Sequence, residues 1–210
     1  TGMRSGSKSD LLTALNSTSN WSGGSNNTST FTVSGGTGGD GSVFNTAVTS
    51  IYTQTFEDYT TGTEVPSDGA WSLPTVPSNA DLFEVRSRNS SQVFEGDDTD
   101  GQAIWLSETI CIGGYTNIEL AIDIARDGNW DSDDDIEVFY RLDGGSRVSL
   151  ERLNNDFASP QALSGLSIPV GTSLQIEVMM DTDGNDEEVW FDNIVVTGTG
   201  EACTSDADSD

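Results

Sequence analysis

The chain has 210 residues, with 35 Asp or Glu against 8 Lys or Arg and no histidine, which gives a formal net charge of −27. This balance excludes nucleic acid as a partner, because phosphate binding needs clustered cationic side chains. Without histidine, Ser-His-Asp and Cys-His nucleophile systems and histidine-ligated zinc catalysis cannot be assembled. No run of 18 apolar residues is present, so we expect no membrane span.

The composition changes along the chain. Residues 1–45 are rich in Ser, Thr, Asn and Gly, which predicts an N-terminal segment or linker, with one short helical turn over residues 10–16 capped by Asp10. The apolar residues are concentrated after that segment, so residues 46–200 are predicted to form one domain and the acidic residues 201–210 a tail. Because residue 1 is Thr, we expect a processed mature protein or an excised fragment.

The two cysteines are Cys111 and Cys203. In an extracellular chain an even pair predicts one disulfide, here closing a loop of about 90 residues. Two free thiols are the alternative. The high negative charge favours a saline or calcium-containing exterior, because ions must screen the repulsion. We therefore expect a secreted or cell-surface protein.

Nine segments after residue 50 have the pattern of short β-strands. They are rich in Val, Ile, Phe, Tyr and Trp, and Gly, Asp, Asn and Pro separate them. Residues 117–125 alternate apolar and acidic side chains, which is typical of a strand with one buried face. Asp143-Gly144-Gly145 predicts a hairpin turn. Many short strands without helical periodicity predict an all-β fold, an antiparallel two-sheet β-sandwich. The predicted strands are residues 51–57, 82–88, 92–95, 102–108, 117–125, 136–142, 148–153, 174–180 and 189–197.

The Asp residues form three clusters, at residues 97–101, 131–135 and 181–188. Short carboxylates in loops that contain Gly and Asn suit calcium, which takes about six to eight oxygen ligands. A solvated, salt-adapted surface is the alternative. Asp131 and Asp134 are the candidate ligands of the second cluster. In the third, Asp181, Asp183 and Asn185 alternate as in the first half of an EF-hand loop, but no Glu stands at its twelfth position, which leaves an irregular calcium loop or a solvated hairpin.

Two further segments carry a resemblance to a known family. The chain has Gln54-Thr55-Phe56-Glu57-Asp58 near the start of the domain and VWFDNIVV over residues 189–196 near its end. With residues 113–145 between them, these segments resemble MAM-like and related concanavalin-A-like jelly-roll modules, of the type appended to secreted surface proteins of marine Bacteroidetes. The resemblance implies a jelly-roll sandwich. The four-cysteine framework of animal MAM domains is absent, so MAM-type partner binding is not expected.

The same resemblance implies a structural calcium where the first and last strands meet. Glu57 and Asp192 are the matching carboxylates, and Asp98 or Asp100 would complete the site. Asp192 lies in an otherwise aromatic strand, where an unpaired charge would be costly to bury and a cation would remove that cost. The alternative is that Asp192 caps a turn by accepting backbone N–H bonds.

These features predict a calcium-stabilised, non-catalytic binding module. Paired carboxylates remain as possible catalysts, but adjacent Glu187 and Glu188 would face opposite sides of a strand, so we expect no enzymatic activity. Carbohydrate binding is one hypothesis, with a polysaccharide or glycan as the partner. The alternative is a structural surface or filament subunit that packs against copies of itself through sheet edges and calcium.

Carbohydrate binding requires exposed aromatic rings on which a sugar can stack. Trp130 is the best candidate, because it lies in a polar loop where no core is expected. Trp105 and Trp190 lie inside strand patterns and are expected in the core. The full set of candidate stacking residues is Trp71, Tyr115, Trp130 and Tyr140.

Overall fold

The computed structural model describes residues 31–34, 42–45, 47–154 and 157–200. The chain divides into two compact units, residues 1–47 and 48–210. In the first, β1 (Phe31–Ser34) and β2 (Ser42–Asn45) pair as an antiparallel hairpin. The helical turn predicted over residues 10–16 lies outside the described residues, as do the predicted tail over residues 201–210 and Cys203. The disulfide between Cys111 and Cys203 therefore stays a prediction.

The second unit consists of two six-stranded antiparallel sheets. Its strands are β3 (Val48–Gln54), β4 (Trp71–Thr75), β5 (Leu82–Arg88), β6 (Ser91–Asp97), β7 (Ala103–Ser107), β8 (Ile110–Cys111), β9 (Tyr115–Asp127), β10 (Asp135–Leu142), β11 (Val148–Asn154), β12 (Gln161–Ile168), β13 (Ser173–Asp181) and β14 (Glu188–Gly200). Sheet I has the order β11-β10-β13-β7-β4, with β8 also on β13. Sheet II has the order β12-β9-β14-β6-β5, with β3 also on β14.

The predicted all-β fold, an antiparallel two-sheet sandwich, is confirmed. Alternate residues of β9, from Ile118 to Ile124, are buried, and those of β13 from Leu174 to Met180 pack into the same core. Apolar burial of this kind is the main driving force that holds two sheets together. Within the described part of the chain, no helix is long and apolar enough to cross a membrane.

Nine of the strands match the segments predicted from the sequence, and the structure adds others. The strand β4 contains Pro74 and lies at an edge of sheet I, the position where a strand tolerates proline. The strand β12 is interrupted by a register shift between Leu163 and Leu166, with Gly165 at a φ of +68°. The predicted hairpin turn at residues 143–145 is confirmed, and its Gly145 N donates to Leu142 O at 2.7 Å.

A group of aromatic rings fills the centre of the sandwich. Phe56 is fully buried, and its ring lies edge-on to Trp71 at 5.4 Å, to Phe191 at 5.5 Å and to Trp105 at 6.1 Å. Trp105 is therefore in the core, as predicted. Trp190 is not, because it is only partly buried on the outer face of sheet II, where the Arg88 guanidinium lies 5.0 Å from its ring centroid.

The long strand β14 connects the parts of sheet II. Along one side it pairs with β9, and along the other it pairs first with β6, through residues 188–191, and then with β3, through residues 194–199. Between these two partners the register shifts after Asp192, and Asn193 has a φ of +52°. A bulge of this type re-aims side chains, and it places Asp192 at the gap between β6 and β3.

Replacing Phe56 with alanine should destabilise the domain by about 3–5 kcal/mol, because it removes a buried ring and leaves a cavity among aromatic neighbours. Val170, which is 65% exposed, provides the matched control, and Val170→Ala should change the free energy of unfolding by less than about 0.5 kcal/mol. Urea denaturation measures both variants. Similar values for the two would contradict the assignment of Phe56 to the centre of the core.

Candidate functional site

The structure brings Glu57 and Asp192 together at the gap between β6 and β3. Ser91, the first residue of β6, donates its hydroxyl to Glu57 Oε1 at 2.5 Å and contacts Asp192 Oδ2 at 3.3 Å. Glu57 Oε1 also accepts the Gln92 N–H at 3.1 Å. We call Glu57, Ser91 and Asp192 the strand-junction site. Its two carboxylates are the pair that the family resemblance implies as calcium ligands.

The electrostatics of the junction are unfavourable for two ionised carboxylates. Asp192 is 8% exposed, and this burial raises its pKa to about 6, with the negative charges of Glu57 and Asp123 adding to the rise. Asp192 Oδ1 also accepts the Asn193 N–H at 2.7 Å, which is the turn-capping role that the sequence left open. Capping occupies Oδ1, whereas Oδ2 remains directed at Ser91 and Glu57.

The prediction that Asp98 or Asp100 completes this site is wrong. Ser91 begins β6 and Asp98 follows its end, so the strand separates them by roughly 20 Å. Asp98 instead lies near Asp100 and Asp183, whose charges, after burial, raise its pKa. A sequence pattern identifies loops rich in carboxylates, but it does not show at which end of a strand each loop lies.

Three loops meet at that other end of the sandwich, which we call the acidic loop end. They are residues 98–102, 128–134 and 182–187. The first and third are joined by Thr99 and Thr182, whose backbone and hydroxyl groups bond each other at 3.0–3.4 Å. The second and third approach so closely that a Cβ on Gly128 would lie 1.5 Å from the Asp186 carbonyl oxygen. The predicted ligands Asp98, Asp100, Asp131, Asp134, Asp181, Asp183 and Asn185 all lie in these loops or at their edges.

Within the acidic loop end, Asp134, Asp183 and Glu187 each place a carboxylate oxygen within 4.8 Å of the other two. Asp134 is 1% exposed, and although its Oδ2 accepts the Asp131 N–H at 2.6 Å, its Oδ1 is buried without a hydrogen-bond partner. Glu187 is also buried, and its Oε2 accepts the Gly184 N–H at 2.6 Å. We call these three residues the carboxylate triad.

The charges of the triad have no cationic partner among the residues that the structure describes. Burial raises the pKa of Glu187 to about 7, and the neighbouring Asp134 charge adds to that rise. Burial and the nearby Asp135 raise the pKa of Asp181 as well. Arg152 is bound to Asp135 and so does not neutralise the triad.

Sequence reasoning found Asp134 and Asp183 but missed Glu187, which was considered only as a catalytic partner of Glu188. A turn in the sequence could have indicated that Glu187 belongs to the site. Glu187 follows Gly184 by three residues, and the Glu187 N–H donates to the Gly184 carbonyl at 3.0 Å. This turn folds Glu187 back over the loop. Asp131 and Asn185, two other predicted ligands, are exposed and lie outside the triad.

The prediction that Trp71, Tyr115 and Trp130 form a sugar-stacking surface is wrong, because all three are at most 7% exposed. Trp71 is in the aromatic core. Trp130 does lie in a polar loop, but its ring packs edge-on against Phe157 at 5.3 Å, and both residues belong to or pack against the core of the sandwich. Tyr140 is half-buried and packs against the core, and its role in binding stays a prediction.

A cavity of about 340 Å³ opens beside β3. Its surface is mainly polar, and the residues that line it include Tyr52, Gln54, Tyr59, Asp68 and Glu108. We call it the tyrosine pocket. Tyr52 and Gln54 pair with Val196 and Ile194 of β14, and Glu108 follows β7 of sheet I, so the pocket lies at the side of the sandwich where the two sheets meet.

No protein-family model matches this chain, so none supports the MAM-like resemblance, and no curated protein matches it. Among solved structures, the chain is similar to the K3 cleaved adhesin domain of Lys-gingipain from Porphyromonas gingivalis W83, at 12% identity over 72% of this chain and 99% of that one, with a TM-score of 0.48. It is similar to the CBM22-1–CBM22-2 tandem domain of Paenibacillus barcinonensis Xyn10C, at 14% identity over 71% and 50%, with a TM-score of 0.49. TmCBM61 in complex with β-1,4-galactotriose matches at 13% identity over 68% and 93%, with a TM-score of 0.46. Likeness at these identities and scores carries no information on ligand or activity.

In a chelator, the free energy of unfolding should fall as the pH rises from about 4 to about 7. The carboxyls of Glu187 and Asp192, with pKa values raised to about 7 and about 6, keep protons in the folded protein at pH values where the unfolded chain has released them. Each contributes a slope of up to about 1.4 kcal/mol per pH unit in that window. Urea denaturation across the range should show a flatter slope for Glu187→Gln and no change for Glu119→Gln, an exposed control on β9. Equal slopes for all three proteins would show that Glu187 ionises normally.

Proposed function

We propose that this protein is an extracellular, calcium-stabilised, non-catalytic binding module whose partner is a glycan. The observation that carries the calcium part is the carboxylate triad, in which a buried Asp134 oxygen without a hydrogen-bond partner lies among other carboxylates. Burying such a group unpaired is costly, and burying like charges together adds to the cost. A bound cation removes both costs.

The donor set favours calcium over other cations. The triad offers carboxylate oxygens, while neither histidine nor thiolate, the ligands typical of zinc and copper, is part of it. Two oxygens bound to one calcium ion at about 2.3–2.6 Å lie up to about 5 Å apart, and the triad oxygens lie within 4.8 Å of one another. Calcium accepts the irregular geometry of a loop site more readily than magnesium, which requires a near-octahedral one.

The strand-junction site is a second place where calcium fits. Its two carboxylates, Glu57 and Asp192, lie about 135 residues apart in the chain. An ion there would cross-link the segment that follows β3 to β14, the first and last strands of sheet II in chain order. Extracellular calcium modules bind with dissociation constants of about 10⁻⁴–10⁻³ M, which matches a calcium-rich exterior. Such a cross-link stabilises the folded state by mass action.

The non-catalytic part rests on the absence of histidine from the whole sequence and on the accessibility of the paired carboxylates. A glycosidase needs two carboxyl groups that reach the substrate from opposite sides. One closely spaced pair, Asp134 and Glu187, is buried in the loop end, where a sugar ring cannot enter between them. Their position suits a structural ion better than a reaction.

The glycan part is supported by the tyrosine pocket, whose surface is mainly polar and is lined by carboxylate and amide side chains. Sugars present a rim of hydroxyl groups, which such side chains bind by hydrogen bonds. Pockets that bind small ligands occupy about 300–1,000 Å³, and the cavity of about 340 Å³ falls at the lower end of that range.

Calcium should raise the melting temperature by about 5–10 °C when it is present at about 100 times its dissociation constant, and a chelator should reverse the rise. Asp134→Asn should lower the melting temperature in calcium but leave it unchanged or raise it in chelator, because the substitution removes a ligand and a repulsive charge together. Calorimetry with and without calcium measures both effects. Glu119→Gln, which removes an exposed charge elsewhere, should behave as the parent protein in both buffers.

Asp192→Asn separates the two sites. If both hold calcium, titration calorimetry should show one fewer ion bound to each single variant and two fewer to the double variant with Asp134→Asn. If the parent protein has the same melting temperature in calcium as in chelator, the calcium proposal is contradicted for both sites.

A further inference from the structure

A second group of carboxylates lies at the acidic loop end, outside the carboxylate triad. The Asp81 N–H donates to the Asp98 carbonyl at 3.0 Å, and the Asp100 N–H donates to the Thr182 carbonyl at 2.9 Å. These bonds join the segment before β5, the loop after β6 and the loop after β13. They bring three aspartates into one small region, and we call Asp81, Asp98 and Asp100 the Asp98 site.

The side chain of Asp98 lacks a partner. Asp98 is 8% exposed, and its Oδ1 is buried without a hydrogen-bond partner, although polar atoms that are buried in native proteins nearly always have one. Burial raises the pKa of Asp98, and the charges of Asp100, Asp81 and Asp183 add to the rise. A buried carboxylate among other carboxylates is unfavourable twice, through desolvation and through repulsion. A cation that bound Asp98 would remove both costs.

The arginines of the described chain do not supply that cation. They bind other carboxylates, and none of these ion pairs includes a member of the Asp98 site. The carboxylates that arginines bind are Glu84, Glu95, Asp135, Glu177 and Glu188.

The Asp98 site is separate from the triad. Oxygens that bind one calcium ion lie within about 5 Å of one another. Among the described residues, the group whose oxygens lie within 4.8 Å of one another consists of Asp134, Asp183 and Glu187, without Asp98. Asp98 therefore does not complete the triad. The two sites are neighbours, because Thr182, which is bonded to the loop after β6, directly precedes Asp183.

We propose, on the basis of the calcium-stabilised function above, that the acidic loop end binds a second calcium ion at the Asp98 site, separate from the ion at the triad. Asp98 is the fixed ligand, because it is buried. Asp81 and Asp100 are exposed, so their side chains turn towards the ion. Water fills the remaining positions, which the flexible coordination of calcium allows. The ion cross-links the segment before β5 to the loop after β6.

The two ions should bind in a fixed order. The oxygens of the triad already lie within 4.8 Å of one another, whereas the exposed side chains of Asp81 and Asp100 must be ordered when the ion arrives. Ordering them costs entropy. The triad ion should therefore bind first. The ion at the Asp98 site should bind second, with a dissociation constant of about 10⁻³ M, the weak end of the range for extracellular calcium modules.

The experiment is a calcium titration of the full chain, followed by two-dimensional ¹⁵N NMR. The amide resonances of Gly184 and Glu187 report on the triad, and those of Asp81 and Asp100 report on the Asp98 site. The expected result is two phases. The Gly184 and Glu187 resonances should shift first, and the Asp81 and Asp100 resonances should shift at higher calcium.

Asp98→Asn is the principal variant. It keeps the shape of the side chain and removes a repulsive charge, so its melting temperature in chelator should equal that of the parent or exceed it. It should weaken the second phase by about tenfold or more, since even partners outside the ligand shell are worth about that much, and leave the first phase in place. Asp81→Asn, at an exposed position where folding is not at risk, should also weaken the second phase, as seen at the Asp100 amide.

Asp133→Asn is the matched control. It removes an exposed carboxylate of the same loop end that belongs to neither site. It should change both dissociation constants by less than about twofold, because exposed charges are screened by salt. Asp134→Asn should abolish the first phase and leave the second.

The other outcomes overturn distinct parts. If the Asp81 and Asp100 resonances do not shift while those of Gly184 and Glu187 do, the Asp98 site is overturned and the triad ion stands. If all four shift together and Asp134→Asn abolishes every shift, the acidic loop end holds one ion and the second is overturned. Equal weakening by Asp98→Asn and Asp133→Asn would overturn Asp98 as a ligand. If calcium shifts no resonance, the calcium-stabilised function itself fails.

Discussion

The close approach of buried carboxylates at the acidic loop end is the constraint on which the other features depend. The chain has few cationic side chains, yet it does not distribute them to the places of greatest negative charge. Arg141 and Arg147 both bind one carboxylate, that of the fully buried Glu177 on β13, at 2.5 and 2.9 Å, while Asp134 and Glu187 receive none of the described arginines. A buried charge without a partner costs several kcal/mol. An ion from solution at the triad would explain why two arginines bind Glu177 and none of the described arginines binds the triad.

Backbone geometry also favours the close approach of the loops at the acidic loop end. Gly128 has a φ of +87°, and any side chain there would collide with the Asp186 carbonyl. A Cβ on Gly184 would lie 2.7 Å from the Glu187 carboxyl carbon. Glycine is thus required at residue 128, where the two loops touch, because any side chain there would push their backbones apart, whereas a side chain at residue 184 would need only the Glu187 carboxylate to shift. The loops are built for close approach, although their charges oppose it.

The sequence predicted well what depends on local periodicity. Alternation along residues 117–125 places four apolar side chains on the buried face of β9, because a strand has a period of two whatever surrounds it. The pair Glu57 and Asp192 was also predicted, but through a family resemblance and not through spacing. Where the prediction failed, the determining contact was distant in sequence. Trp130 is buried because Phe157 arrives from the segment before β12, and no pattern around Trp130 shows that.

The same limit explains the placement of the acidic residues. Asp98 and Glu57 belong to different sites because β6 runs between them, and only the pairing of β6 with β14 shows which end of the strand meets Asp192. Glu187 was missed because its role depends on a three-residue turn that brings it beside Asp134 of another loop. Residue types identified the chemistry, whereas strand order decided which carboxylates share a site.

The strand-junction site and the tyrosine pocket are connected through one short segment. Glu57 and Tyr59 flank Asp58, and Gln92 binds both sides of it, with its N–H on Glu57 and its side-chain amide on the Tyr59 carbonyl. Phe56, buried at a φ of +57°, anchors the segment from below. An ion that holds Glu57 against Asp192 would therefore also hold a wall of the pocket.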